Sequence, residues 1–483
     1  MTVVRGADEE ARTAASAPRS PARGLLAAVL IVQFMVALDA SVVNVALPDV
    51  RMDLGFTDEG LTWVINAYAL GFGGLMMLGG RLGDLVGHRR TLLAGLVVFG
   101  AASLAGGLVG SPGGLIAARA VQGAGAAALT PVALALLTTG FPPGPALSRA
   151  LGWWGATAAA GGAVGVLAGG LLTEWLGWRA VMLVNVPIAG CALVLGARLA
   201  RPAPGRRAGA ARGRLDVAGA LLVTAGASTL VLGVVRANTL GWGSATTVLT
   251  LGSSVVLLLA FAAVERRVRD PLLDLGLLAR RPVLGANLFM MLLFSGQFAA
   301  FYFTSLYLHQ VLDFGPAAAG VAFLPFCLGI AVGSAIATRT VGTLGARRLM
   351  ACGGLVGGCG FAWFGAAFAA GGGFWTAVLG PSLVASVGIG VCFVPLGASA
   401  TSGVPAHQAG MAAGLVNTSR QVGGSVGLAA LDTLAASVVG DHHGAVRDRL
   451  ADGYGAAIGA AGGLLAVAAA LALLLIPGKA VER

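Results

Sequence analysis

The sequence predicts an all-α polytopic membrane protein of fourteen transmembrane helices: two related six-helix halves with a helix pair inserted between them. Three observations predict it. The 483 residues are 57% hydrophobic and 11% charged, with 77 glycines. That is more apolar surface than a soluble core absorbs, and a glycine content suited to close helix packing in lipid. The apolar residues also fall in runs of roughly 20, the length that crosses a bilayer. Finally, a basic, glycine-punctuated stretch between two such runs, G-G-R-L-G-D-L-V-G-H-R-R at Gly79–Arg90, returns shortened as R-T-V-G-T-L-G-A-R-R at Arg339–Arg348. Positions 81, 87, 89 and 90 map onto 339, 345, 347 and 348, a constant offset of 258 residues. Repetition at one offset marks a transporter built from two homologous membrane halves.

In chain order, a tail (1–24) precedes a first span near 25–47, which is longer than a signal-peptide core and is therefore read as retained. Spans follow near 61–80, 91–110, 114–139, 149–172 and 179–199, completing a first half at 25–199. A Pro/Gly/Arg-rich loop and the inserted spans near 217–235 and 245–264 occupy 200–282. The second half, 283–476, holds spans near 284–308, 318–338, 349–370, 375–400, 413–438 and 454–476, ahead of a short tail at 477–483. The offset carries the first span onto 283–305 and the fourth onto 372–397, both of them predicted spans.

The net charge is +11, and its distribution matters more than its size. Basic residues cluster before the first span (Arg5, Arg12, Arg19, Arg23), in Gly79–Arg90, at Arg198–Arg214, at Arg266–Arg281 and at Arg339–Arg348, whereas the alternate loops hold few. This positive-inside pattern puts the clusters and both termini in the cytoplasm, facing anionic membrane lipid. It leaves no soluble module for nucleic acid. Lys479 is the single lysine among 31 basic residues, in keeping with a GC-rich bacterial genome and thus a bacterial cytoplasmic membrane. The five cysteines lie in apolar runs and read as small hydrophobes. Adjacent His442 and His443 make a poor metal site. With no phosphate-binding G-x-x-x-x-G-K-[ST] and no catalytic set converging at one depth, neither an enzyme nor a cofactor is expected. Energy then comes from an ion gradient, or transport is passive.

Few acidic residues fall inside a span, and Asp39, in L-D-A-S-V-V-N-V-A-L-P, is the clearest. It lies about eight residues, roughly 12 Å, from the outer end of its span. A carboxylate there must be paired, hydrated or transiently protonated. That suits a proton carrier and equally a structural ion pair. Arg119 can reach it from the fourth span, with Gln122 on nearly the same helix face. Asn44, Asn66 and Tyr68 add polar character to the first and second spans and, with Gln122, are assigned to the substrate cavity. Gln297 stands 258 residues after Asp39, among Phe294, Phe301 and other aromatics that either line a lipophilic pocket or pack the bundle. Gly161, Gly165 and Gly169 form a small-residue face for packing, and on an added hypothesis for gating. Asp84, in a turn with Gly80, Arg81, Gly83, Gly87, Arg89 and Arg90, suits a latch that forms in one conformation and breaks in the other. Arg420 and Asp432 are further intramembrane charges without an assigned role; their spacing puts them on different faces.

Along nearly its whole length the chain resembles the fourteen-span drug:proton antiporter branch of the major facilitator superfamily. The resemblance rests on Gly80–Arg90, Leu38–Pro48, Arg119 with Gln122 and Gly123, Gly161–Gly170, Trp178–Pro187, Arg214–Leu215–Asp216 and Asn417–Gly427. Gly162 and Val166 stand where the branch often has prolines, so its helix bend is not carried over. The resemblance implies the major facilitator fold in a monomer. It also implies proton coupling at Asp39 and Arg119, gating at Gly83, Asp84 and Arg89, and proton-driven export of small hydrophobic or cationic drugs or antibiotics. The alternative is a carrier of the same fold for a metabolite or nutrient.

Overall fold

A computed structural model describes residues 19–141, 145–198, 216–268, 271–400, 402, 404, 409–441 and 445–478. Arg214, Leu215, His442 and His443 lie outside the described residues, as do most of the two tails. All regular structure among the described residues is helical. The first half comprises α1 (Arg19–Leu54), α2 (Asp58–Val86), α3 (His88–Leu108), α4 (Pro112–Gly140), α5 (Pro145–Leu176) and α6 (Arg179–Arg198). The inserted pair is α7 (Val217–Leu240) and α8 (Ala245–Glu265). The second half comprises α9 (Arg281–Gln310), α10 (Pro316–Leu344), α11 (Ala346–Ala369), α12 (Phe374–Ala400), α13 (Ala409–Asp441) and α14 (Val446–Leu475). Thirteen of these are long and apolar enough to cross a membrane, which makes the chain an integral membrane protein. The remaining predicted span lies in α2, a 29-residue helix whose described apolar run is Gly60–Met76.

Local chemistry sets the helix starts. Thr57 and Ser111 accept hydrogen bonds from the amides of Gly60 and Gly114 (3.1 and 3.3 Å), and Asp216 accepts from Gly219 (2.8 Å). Each satisfies a donor orphaned at a helix N-terminus.

The repeated basic stretch is not the loop expected from sequence. α2 runs through Val86 and α3 starts at His88, so only Gly87 interrupts the helices; likewise Gly345 alone separates α10 from α11. Both sit at positive φ, 103° and 77°, which glycine adopts without steric cost. Asp84 therefore belongs to the last turn of α2 rather than to a turn between helices, and its side chain is not among those described. The preceding glycines remain helical because they serve packing. A Cβ at Gly79 would strike the Ala127 carbonyl of α4, and one at Gly83 would lie 2.6 Å from Val132 Cγ2.

The halves are clamped together at one membrane face, here the Asp53 face. There a single apolar cluster runs from Leu38, Val42 and Trp178 of the first half to Phe303, Tyr307 and Phe368 of the second. Toward the opposite, Gly87 face, the first half has a separate cluster of its own residues, including Val32, Leu96 and Val132. Pro48 helps to build the clamp. Lacking an N–H, it leaves the Asn44 carbonyl one turn earlier without its helical donor, and Ser305 Oγ of α9 donates to that oxygen (2.9 Å). Glu174 of α5 accepts from the Ala317 amide of α10 (3.0 Å), and Gly170 lets the α5 backbone approach Pro316 and Ala317. Nearer mid-membrane, Thr418 Oγ1 of α13 donates to the Gly73 carbonyl of α2 (2.8 Å). The insertion lies alongside this second joint. α7 packs on both α2 and α13, with Gly74 against Thr224 and Thr433 donating to the Val234 carbonyl (3.3 Å).

Candidate functional site

Asp39 is fully buried in the first half, and its carboxylate accepts three hydrogen bonds. Arg119 Nη1 donates to Oδ2 at 2.9 Å, while Gln122 Nε2 and Asn185 Nδ2 both donate to Oδ1 at 2.7 Å. Arg119, 2% exposed, also donates from Nε to the Val64 carbonyl (3.1 Å) and from Nη1 to Gln122 Oε1 (2.8 Å), and it lies over the Tyr68 ring at 4.2 Å. Gln122 Nε2 donates onward to Ser103 Oγ (2.7 Å). Five helices of one half, α1 to α4 and α6, thus converge on one ion pair. This geometry suits the ionised carboxylate: charge-assisted bonds from three donors offset the cost of burying it.

Sequence reasoning brought Asp39, Arg119 and Gln122 together and missed Asn185 and Ser103. The helix of α6 is interrupted at Val184, where Pro187 denies the Leu183 carbonyl its usual donor, and Asn185 follows directly. Asn185 is the one polar residue in the Val181–Pro187 stretch, its only sequence signal.

The other expected residues are dispersed. Asn44 bonds its own helix, Nδ2 to the Ala40 carbonyl (3.1 Å), and reaches the other half through its backbone alone. Asn66 is fully buried with neither amide atom hydrogen-bonded, and the Tyr68 hydroxyl likewise has no partner. Phe294 stacks on Phe393 (centroids 6.1 Å apart) and carries the Arg420 guanidinium over its ring at 5.4 Å. Gln297 is half-buried, with Oε1 unbonded. Phe301 faces inward within the second half, stacked on Phe323 (5.1 Å) and edge-on to Phe326 (5.1 Å).

Gly161, Gly165 and Gly169 lie against Phe34, Leu38 and Val42 of α1, inside the same half; Gly170 is the glycine that faces α10. Gly80 packs against Pro131. Arg89 donates to the Gly196 and Ala197 carbonyls (3.2 and 2.6 Å), capping the C-terminus of α6. Arg81 is half-buried and Arg90 is exposed on the same face.

The sequence matches the Major Facilitator Superfamily over residues 29–428. Among similar proteins, the cephamycin export protein CmcT of Amycolatopsis lactamdurans is 44% identical over 440 residues, covering 90% of this chain and 89% of that protein. The puromycin resistance protein pur8 of Streptomyces alboniger is 43% identical over 476 residues, covering 94% and 91%. Among solved structures, an inward-facing bacterial homologue of the human lysosomal transporter Spinster superposes with a TM-score of 0.67 at 16% identity, covering 95% of this chain and 97% of that one. The xylose transporter XylE from E. coli superposes with a TM-score of 0.65 at 12% identity, covering 96% and 100%.

Proposed function

We propose that this chain, which belongs to the Major Facilitator Superfamily and is a membrane transporter rather than an enzyme, exports a drug or antibiotic across a bacterial cytoplasmic membrane in exchange for protons. Relatives of export and antibiotic-resistance function, alike along nearly the full length, support the cargo class. The observation that carries the coupling reading is the buried Asp39–Arg119 pair with its two amide donors. Protonating Asp39 removes the charge that Arg119, Gln122 and Asn185 are arranged to hold. Arg119 is then left to find another acceptor, and the network loses its reason to keep α1, α4 and α6 in this register. A proton arriving from outside drives that rearrangement, and its release to the cytoplasm restores the pair.

Orientation follows from charge. Arg81, Arg89, Arg90, Arg266, Arg267, Arg339, Arg347 and Arg348 all lie toward the Gly87 face, which makes that face cytoplasmic, together with both termini. The clamped Asp53 face is then external, and on this reading cargo loads from the cytoplasm while that clamp is closed. In this reading the protein works as a monomer within the lipid, Gly87 and its flanking arginines form part of the cytoplasmic gate, and no cofactor takes part beyond the proton gradient.

The test is extrusion from cells. Asp39→Asn, with insertion and folding verified by membrane fractionation and thermal unfolding, should lose gradient-driven extrusion across a panel of dyes and antibiotics. Full extrusion by that variant would remove Asp39 from the mechanism.

A further inference from the structure

Arg420, on α13, is a second guanidinium inside the membrane, half-buried, and the proton-coupling reading does not use it. Unlike Arg119, it has no acidic partner among the described residues. Its Nε has no hydrogen-bond partner, and among the described residues it makes no ion pair. The carboxylate nearest in role, Asp39, is already committed to Arg119, Gln122 and Asn185. Tyr68 lies under the Arg119 guanidinium on α2, the helix that packs on α13 with Gly73 against Gln421, the neighbour of Arg420; it is 3% exposed and its hydroxyl is unbonded. Among the described residues, Arg420 Nε and the Tyr68 hydroxyl, one from each half, are therefore left without an acceptor where α2 meets α13. Beneath them lies an aromatic floor: Phe294 under Arg420, with Phe393 stacked on it and Phe298 edge-on (6.2 Å).

An unneutralised cation in a membrane interior is costly, and unpaired donors add to that cost. A carboxylate would offset both. Its planar pair of oxygens accepts from a guanidinium and a phenol together, and a flat apolar body attached to it can cover the Phe294 ring. A cationic headgroup over Phe294 would instead be repelled by the Arg420 guanidinium.

We infer that Arg420 and Tyr68 form an oxyanion-binding subsite, and that the cargo is a lipophilic, aromatic-bodied carboxylic acid. This rests on the export reading and narrows it from hydrophobic or cationic compounds to acidic ones.

The test uses the full-length protein in lipid nanodiscs and three fluorescent probes that share one body: pyrenebutyrate, pyrenebutyramide and pyrenebutylamine. The acid should bind at least about tenfold more tightly than the amide or the amine. Arg420→Gln should collapse that ratio to near one, Arg420→Lys should keep part of it, and Tyr68→Phe should reduce it several-fold. Each variant is checked for monodispersity and thermal unfolding, and the lysine variant stands in if the glutamine variant does not fold. A wild-type ratio near one, a failure of the acid to bind, or a preference that survives Arg420→Gln overturns the subsite. Cells that extrude amines but not acids also overturn it, while leaving export standing. Cells that extrude nothing overturn the export reading itself.

Discussion

At the scale of single residues, the Asp39–Arg119 pair is a mutual dependency rather than a source of surplus stability. Removing one partner strands a buried charge, at a cost of roughly 3–5 kcal/mol, whereas removing both spares it. Asp39→Asn and Arg119→Gln should each lower the thermal unfolding temperature, and the double variant should be less destabilised than the sum of the singles. Additive losses in such a cycle would show that the two do not interact. Asn185→Leu should also impair extrusion while preserving insertion, because Oδ1 would keep only Gln122 as donor. The acid, the arginine and Gln122 were legible in the sequence because charge inside an apolar run is conspicuous and an i, i+3 spacing shares a helix face. Asn185 and Ser103 were not. Neutral polar residues in membrane helices often bond their own backbone, as Asn44 does, and only tertiary packing turns these two toward Asp39.

At the scale of elements, the repeat was legible and its conformation was not. Glycine and arginine density over Gly79–Arg90 reads as a loop, yet Gly79 and Gly83 carry α2 past α4 and the break is confined to Gly87. Open space surrounds Gly87, so a side chain there meets strain and no clash. Gly87→Ala and Gly87→Asn should therefore each cost about 1–3 kcal/mol, because φ 103° with ψ 131° lies outside the left-handed well that Asn tolerates. Thermal unfolding of the purified variants measures both. Pro48 acts in the opposite sense, through a hydrogen bond it cannot make. Pro48→Ala would return a helical donor to the Asn44 carbonyl, compete with Ser305 and loosen the clamp. In a cysteine-free background that keeps Ser305, accessibility of a cysteine placed at Ala317 to an external thiol reagent should rise in that variant; unchanged labelling would count against Pro48 as part of the clamp.

At the scale of the molecule, the fold was legible almost entirely, because fourteen hydrophobic runs and one offset leave few topologies. Which way the cleft faces was not, since the same helices serve both states. The clamp predicts the outcome of tethering it. In a cysteine-free background, cysteines at Glu174 and Ala317 joined by a short bifunctional thiol reagent should hold the Asp53 face shut and stop extrusion. A cleavable reagent should let activity return on reduction; export unaffected by the tether would mean that this face does not open.

The position of α7 has a consequence for how a greasy compound gets in. Two rocking bundles leave two seams open to the surrounding bilayer, one along α2 and α13 and one along α5 and α10. With α7 laid against both α2 and α13, the first seam is walled off. Molecules dissolved in the inner leaflet are then left the side door beside α5 and α10.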